Sequence, residues 1–271
     1  MLFIGHAYFA LLFTVFSLPV FGKEFPMNNA RLLLGMLRGG DYAHPGDKEA
    51  VDTVAEKVLT LSPEIQDGPV LDVGSGFGGT ANRLRELNFK SIFGIDLDEA
   101  AVEYAKEHYP EVNFLHANAN DVLHFFDEEF FSFIYMFNVL YAIEDKKGLL
   151  ERLFKVAKPG ALLVIFDYTT KQKPFSLQDL AGKPMYPFVM SELEESLKET
   201  GWEVKESVDL SPYFLKSYEM LLSKLKKESE ALSVQFSQES VTKVETTFNF
   251  IYESLKSSAL GGAAIYAKKP A

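Results

Sequence analysis

Apolar and polar positions follow two rhythms along the chain. Between residues 47 and 61, Val51, Val54, Ala55, Val58 and Leu59 recur at three- and four-residue spacing, which predicts an amphipathic helix ended by Ser62-Pro63. Short unbroken apolar runs follow it, at 69–73, 91–96, 112–116, 130–136 and 161–167. Runs of that length read as strands buried on both faces. Helical spacing returns between them: from Gly79 through Leu84 and Leu87, at 99–108, and at 147–157 before the breakers Lys158-Pro159-Gly160. Ser191 and Glu194 have the spacing of a capping box for a helix running to Thr200. A strand at 202–208, two long amphipathic helices at 212–232 and 239–255, and a strand at 262–268 complete the pattern.

Strands alternating with helices predict an α/β chain with a doubly wound, mostly parallel seven-stranded sheet. The helical pair at about 211–257, inserted before the last strand, predicts a cap over the C-terminal edge of that sheet, where such folds bind ligands. Residues 27–271 read as one domain. Residues 1–26 form a hydrophobic leader, and twenty uncharged residues at 2–21 are long enough to span a bilayer. Three readings of the leader stay open. It is a cleaved signal, although no Lys or Arg precedes the apolar run; an anchor, with Lys23, Arg31 and Arg38 keeping the domain cytoplasmic; or an extension upstream of a start at Met27. Anchor or signal is preferred. The Met27 start leaves an amphipathic opening helix in MNNARLLLGMLRGG.

The net charge of −11 argues against nucleic acid as a partner, because phosphate binding needs a basic stripe. Without cysteine, disulfides, thiolate metal sites and cysteine nucleophiles are excluded. His6, His108, His116 and His124 have no metal-ligand spacing with one another, so no metal is expected. Nothing in the pattern specifies an oligomeric state.

Candidate chemistry concentrates in LDVGSGFGGT, residues 71–80. Gly74-Ser75-Gly76-Phe77-Gly78-Gly79 satisfies the glycine spacing of a dinucleotide binder. Asp96, eighteen residues after Gly78, can accept from ribose hydroxyls and serves NAD and S-adenosylmethionine alike. Asp72 discriminates. A carboxylate there would repel a pyrophosphate seated over the loop and attract the ammonium and sulfonium of S-adenosylmethionine. The bland alternative for Asp72 is a loop cap bonded to backbone amides.

LDVGSGFGGTA, GIDLDEAAVEYAKE and FNVLYAIEDKKGLLERLFKVAKPGALLVIFDYT resemble successive motifs of class I S-adenosylmethionine-dependent methyltransferases. The last of these, with GWEVKESVDLSPYFLKSYEMLLSKL and LGGAAIYAKK, is similar to the branch acting on small amines, which includes phosphoethanolamine and sarcosine/dimethylglycine methyltransferases. The resemblance covers roughly residues 39–269 and implies a Rossmann-like methyltransferase fold and S-adenosylmethionine as cofactor. It implies that Asp72, Gly74, Ser75, Gly76 and Gly78 surround the methionine moiety, that Asp96 holds the ribose, and that Leu97 packs on adenine. Asn118, with Ala119 beside it, stands where many relatives have an acid that accepts from the adenine amino group. An amide oxygen accepts that bond as well. Phosphoethanolamine methyltransferases carry Asp and His where this chain has Asn138 and Ala142, and the missing His argues against a phosphobase substrate.

Methyl transfer from a sulfonium needs an aligned, unprotonated nucleophile, and aromatic faces to stabilise the charge being passed on. Phe137, Asn138 and Tyr141 are candidates at the mouth of the fourth strand, with core packing the alternative for Phe137. RGGDYAHPGDKEA, residues 38–50, resembles the segment that closes over the substrate in relatives. It implies that Asp41, Tyr42 and His44 face the acceptor, with His44 the best available base. The alternative is a solvated surface turn built by Gly39-Gly40 and Pro45-Gly46. Tyr213, Phe214 and Tyr218 on the first cap helix are candidates to wall the substrate cavity, with packing the default reading of their helical spacing. The expectation is methyl transfer to a small-molecule acceptor, at an amine nitrogen rather than oxygen. An NAD(P)-linked oxidoreductase and an S-adenosylmethionine-binding protein without turnover stay open.

Overall fold

The computed structural model describes residues 29–171, 177–180 and 182–271. The leader and Met27 lie outside them. The elements in chain order are α1 (Asn29–Arg38), α2 (Asp47–Leu61), β1 (Pro69–Val73), α3 (Gly79–Glu86), β2 (Ser91–Asp96), α4 (Glu99–His108), β3 (Asn113–His116), α5 (Val122–Phe125), β4 (Phe131–Phe137), α6 (Lys146–Val156), β5 (Ala157–Thr170), α7 (Met190–Glu199), β6 (Glu203–Asp209), α8 (Ser211–Phe236), α9 (Gln238–Lys256) and β7 (Leu260–Lys268). The strands form one sheet of order β3-β2-β1-β4-β5-β7-β6. Pairing is parallel from β3 to β5, and β7 runs antiparallel to both β5 and β6. The doubly wound, mostly parallel seven-stranded sheet with a helical cap before the last strand is borne out.

Side-chain alternation divides the core between the two faces of the sheet. On β4, Phe133, Tyr135 and Phe137 join the layer formed with α1–α4, α8 and α9. Ile134 and Met136 join the opposite layer, with α6, α7 and the fully buried Trp202. Both faces are covered, so the central strands read as continuous apolar runs. β6 lies at the edge and alternates exposed with half-buried residues.

Three local expectations are corrected. Lys158, Pro159 and Gly160 end α6 but are themselves part of β5, where a register shift against β4 absorbs them. Gly160 takes φ 81° there and its N–H donates to Lys269 O at 3.0 Å. Ser191 does not cap α7. Thr170 N–H donates to Phe188 O at 2.8 Å, which holds Phe188 beside β5, so the helix starts directly after Val189. Glu194 accepts from Ser207 Oγ at 2.6 Å instead of completing a capping box. The cap is also larger than expected: α8 runs on to Phe236, and α1 packs against both α8 and α9. Among the described residues no helix is long and apolar enough to cross a membrane.

Candidate active site

The chain turns from β1 into α3 through the glycine loop, at the C-terminal edge of the sheet. Gly74 N–H and Ser75 N–H both donate to Ile95 O on β2, at 2.7 and 3.0 Å, and tie the loop to its neighbour strand. Gly76 has φ 51°, a conformation open to glycine without strain, and its N–H donates to Asp96 Oδ2 at 2.8 Å. Asp96 Oδ1 accepts from Asp98 N–H at 2.8 Å. The carboxylate is therefore fixed in orientation before any ligand arrives.

A strap formed by α1 and residues 39–46 crosses this loop. A side chain on Gly79 would collide with Gly40 O and the backbone of Asp41, so strap carbonyls lie over the first turn of α3. Several contacts hold the strap down. Arg31 Nη1 donates to Asp98 Oδ2 at 2.7 Å. Tyr109 Oη donates to Asp41 Oδ2 at 2.6 Å, and Tyr104 Oη to the same carboxylate at 3.2 Å. His44 Nε2 lies 3.0 Å from Thr80 Oγ1, and His44 Nδ1 lies 3.2 Å from Pro45 O. The Pro45 carbonyl can only accept, which makes Nδ1 the donor and Nε2 the acceptor for the Thr80 hydroxyl.

Between strap, sheet edge and cap lies a cavity of about 300 Å³. Gly74, Gly76, Asp96, Leu97, Asn118 and Ala119 line it from the sheet edge, and Phe137, Asn138 and Tyr141 from the end of β4. Tyr42 reaches it from the strap and Tyr218 from the cap. The structure thus brings eleven of the sequence candidates to one cavity. Asn118 Oδ1 already accepts from Asn120 N–H at 3.0 Å and keeps a second lone pair for a ligand.

Six candidates lie outside the lining. Asp72 lies at the end of β1 and Ser75 and Gly78 lie within the loop, with Asp72 Oδ2 and Ser75 Oγ buried without a partner. Asp72 stands beside the Tyr135 hydroxyl, although neither completes a hydrogen bond of normal geometry, and burial pushes its carboxyl up to about 8. Asp41, expected at the acceptor, turns to the two tyrosines of the α4 end because the strap needs an anchor there. Tyr213 packs on Gly46 in the strap turn. His44 is neither a solvated turn residue nor a free base. It is 2% exposed, its ring lies tilted 4.6 Å from Phe137, and burial pulls its imidazole down to about 3.

Sequence reasoning missed Asp167 and Tyr168 at the end of β5. The buried Asp167 carboxylate accepts from the backbone N–H of Val139, Tyr141 and Tyr168, and so sets the rim of the cavity. Tyr168 lines the cavity, meets Tyr141 edge-to-face at 5.5 Å and hydrogen-bonds the Tyr218 hydroxyl. An Asp-Tyr pair at the C-terminal end of a parallel strand was the available signal.

The residues present fit S-adenosylmethionine. Asp72 offers a buried carboxyl whose Oδ2 has no partner behind the loop, and Asp96 an oriented carboxylate in front of it, which suits a ligand carrying ammonium, sulfonium and ribose. They fit a dinucleotide poorly, because a pyrophosphate belongs at the N-terminus of α3 and the strap occupies that place.

Comparison with known proteins agrees. A model of a methyltransferase domain matches residues 71–165. Phosphoethanolamine N-methyltransferase of Plasmodium falciparum is 31% identical over 138 residues, half of this chain and half of that enzyme. An O-methyltransferase of Aspergillus sclerotiorum is 25% identical over 194 residues, 66% of this chain and 73% of that enzyme. The solved structure of Haemonchus contortus phosphoethanolamine N-methyltransferase 2 in complex with phosphomonomethylethanolamine and S-adenosylhomocysteine superposes with a TM-score of 0.78 at 18% identity, over 92% of this chain and 62% of that one. The likeness to class I methyltransferases read from the motifs is borne out.

Proposed function

We propose, from the class I S-adenosylmethionine-dependent methyltransferase that its fold and domain describe, that this protein transfers a methyl group to the amine nitrogen of a small molecule. The observation that carries the choice of cofactor is the covered N-terminus of α3. Strap backbone packed against Gly79 crowds the first turn of α3, where a pyrophosphate would sit, while the loop edge and Asp96 stay open to the cavity. When bound, S-adenosylmethionine supplies an electrophilic methyl on a sulfonium.

The chain's own residues bind, orient and exclude water. Asp96 holds the ribose hydroxyls, Leu97 packs on adenine, and Asn118 with Ala119 lines its edge. The Asp72 carboxylate balances the ammonium charge from behind the loop. Phe137, Tyr141 and Tyr168 present aromatic surface at the acceptor end, which favours the positive charge passed to nitrogen. Burial of the amine among them favours its neutral, nucleophilic form.

Nitrogen is preferred over oxygen on the state of His44. Its acceptor nitrogen is already engaged by Thr80, and its ring lies outside the cavity lining. A hydroxyl acceptor needs a base, whereas a desolvated amine carries its own lone pair. His44 is then a positioning residue that holds the strap on α3. His44→Ala should raise the KM for the acceptor and lower kcat while leaving the acid limb of the pH–rate profile unmoved. A pKa near 6 lost from that profile would restore the base.

Asp96→Ala removes a charge-assisted ribose contact together with the acceptor that orients Gly76. S-adenosylhomocysteine affinity by calorimetry should fall roughly 10- to 100-fold; unchanged affinity would show that the ribose lies elsewhere. NADH binding more tightly than S-adenosylhomocysteine would remove the proposal altogether. Mass spectrometry of products formed with S-adenosylmethionine and host-cell metabolites identifies the methylated atom.

A further inference from the structure

We infer that the acceptor is an amine whose other substituents are apolar, carrying neither a carboxylate nor a phosphate. The inference rests on the methyl-transfer reading above and names the substrate class of that same cavity.

Beyond the aromatic end of β4 the wall is hydrocarbon. Leu34 of α1, Phe248 and Ile251 of α9, and Leu180 and Met185 of the segment before α7 line the cavity. All five are buried, between 3% and 9% exposed. An anionic group against that wall would lose its hydration and gain no donor, whereas an alkyl or aryl body gains by being removed from water.

The charges around the cavity point the same way. Among the described residues, the charged side chains in the lining are Arg31, Lys183, Asp96 and Asp179. Arg31 is held by Asp98 at 2.7 Å, and Lys183 is exposed on its turn. Arg38 is a buried guanidinium close by, but it stands outside the lining. Its Nη1 donates to Asp47 at 2.7 Å, its Cζ lies 5.8 Å over the Tyr218 ring, and its Nε is buried without a partner. The Tyr168 and Tyr218 hydroxyls bond each other. An anion entering the cavity therefore meets two carboxylates, an arginine paired with Asp98 and a lysine exposed to water. An amine meets the Tyr141–Tyr168 corner and Phe137, surfaces that accept positive charge.

The experiment uses the full chain and calorimetry. S-adenosylhomocysteine is titrated first. With it bound, N-methylbutylamine, N-methylhexylamine and N-methyloctylamine are compared with phosphoethanolamine and sarcosine. The alkylamines should tighten by about fourfold per added methylene until the cavity is full. Sarcosine and phosphoethanolamine should bind at least about tenfold more weakly than N-methylhexylamine. Ile251→Lys should keep S-adenosylhomocysteine affinity within about twofold, since Ile251 lies on the cap, and lose the alkylamines by about tenfold or more. Failure of S-adenosylhomocysteine to bind overturns the methyl-transfer reading and the inference with it. If it binds, a flat or undetectable alkylamine series, or either anionic amine binding as tightly as N-methylhexylamine, overturns the inference alone.

Discussion

Replacing Asp167 by alanine is expected to lower stability by about 3 kcal/mol, the sum of several donors left without an acceptor less the relief of a buried charge. The side chain is fully buried at the end of β5. Its two oxygens accept from Tyr168 N–H at 2.6 Å, Val139 N–H at 2.8 Å and Tyr141 N–H at 3.2 Å. Those last two amides belong to the turn that follows β4, where Asn138 takes φ 53° and the ladder cannot satisfy them. Alanine leaves all three without that acceptor, the Tyr168 amide in a buried site and the other two in partly buried ones. The opposing effect is real: burial pushes the Asp167 carboxyl up to about 6, so its ionised form is itself costly. Each orphaned amide still costs about 1–3 kcal/mol, and three of them outweigh that relief. Urea unfolding of the ligand-free protein checks the figure. Asp167→Asn keeps the volume and one acceptor, but turns an amide donor toward another N–H, so it should fall between alanine and the native residue. A midpoint for the alanine variant equal to wild type would mean that water replaces the carboxylate. Because Val139 and Tyr141 form the cavity rim, a folded alanine variant should also lose acceptor turnover while retaining S-adenosylhomocysteine binding.

This same carboxylate shows where sequence reading stops. VLDV and SIFGID were legible as strands because a parallel strand buried on both faces shows a continuous apolar run. The glycine loop and Asp96 were legible because their function depends on backbone geometry at fixed spacing. Asp167 has no such spacing. Its partners lie 26 and 28 residues away, and nothing in their own side chains betrays the bond. The strap was half legible for a related reason. Its glycines and Tyr42 marked it as a segment near the acceptor, yet Asp41 and His44 turned to Tyr104, Tyr109 and Thr80. Those pairings join positions 36 to 68 residues apart and carry no periodicity. Tyr213 failed differently. It shares the first cap helix with Tyr218, but five residues of α8 rotate it toward Gly46 and away from the cavity, the packing role that helical spacing left as the default.

Asp72 should make the ligand-free protein lose stability as pH rises from 6.5 to 8, by about 2 kcal/mol across that window. Its carboxyl titrates near 8 in the native state and near 3.8 when exposed. Between those values the native protein holds a proton that the unfolded chain has released, so raising the pH favours unfolding. Asp167 acts with the same sign, but only up to about 6. His44 acts with the opposite sign. Its native value of about 3 lies below 6.5, so between them the unfolded chain binds the extra proton and stability rises with pH. The three effects overlap in mild acid and partly cancel; above 6.5 Asp72 is left. Thermal or urea midpoints measured in half-unit steps should fall through that window for the native protein and stay level for Asp72→Asn. A flat native profile would refute the assignment. The same proton couples to the cofactor. A cationic donor favours the ionised carboxylate, so binding at pH 7 should release a proton and tighten as the pH rises toward 8. Calorimetry in two buffers of different ionisation enthalpy reads that proton directly. Asp72→Asn should abolish both the release and the pH dependence, which separates a carboxylate that answers the methyl donor's charge from one that merely packs behind the glycine loop.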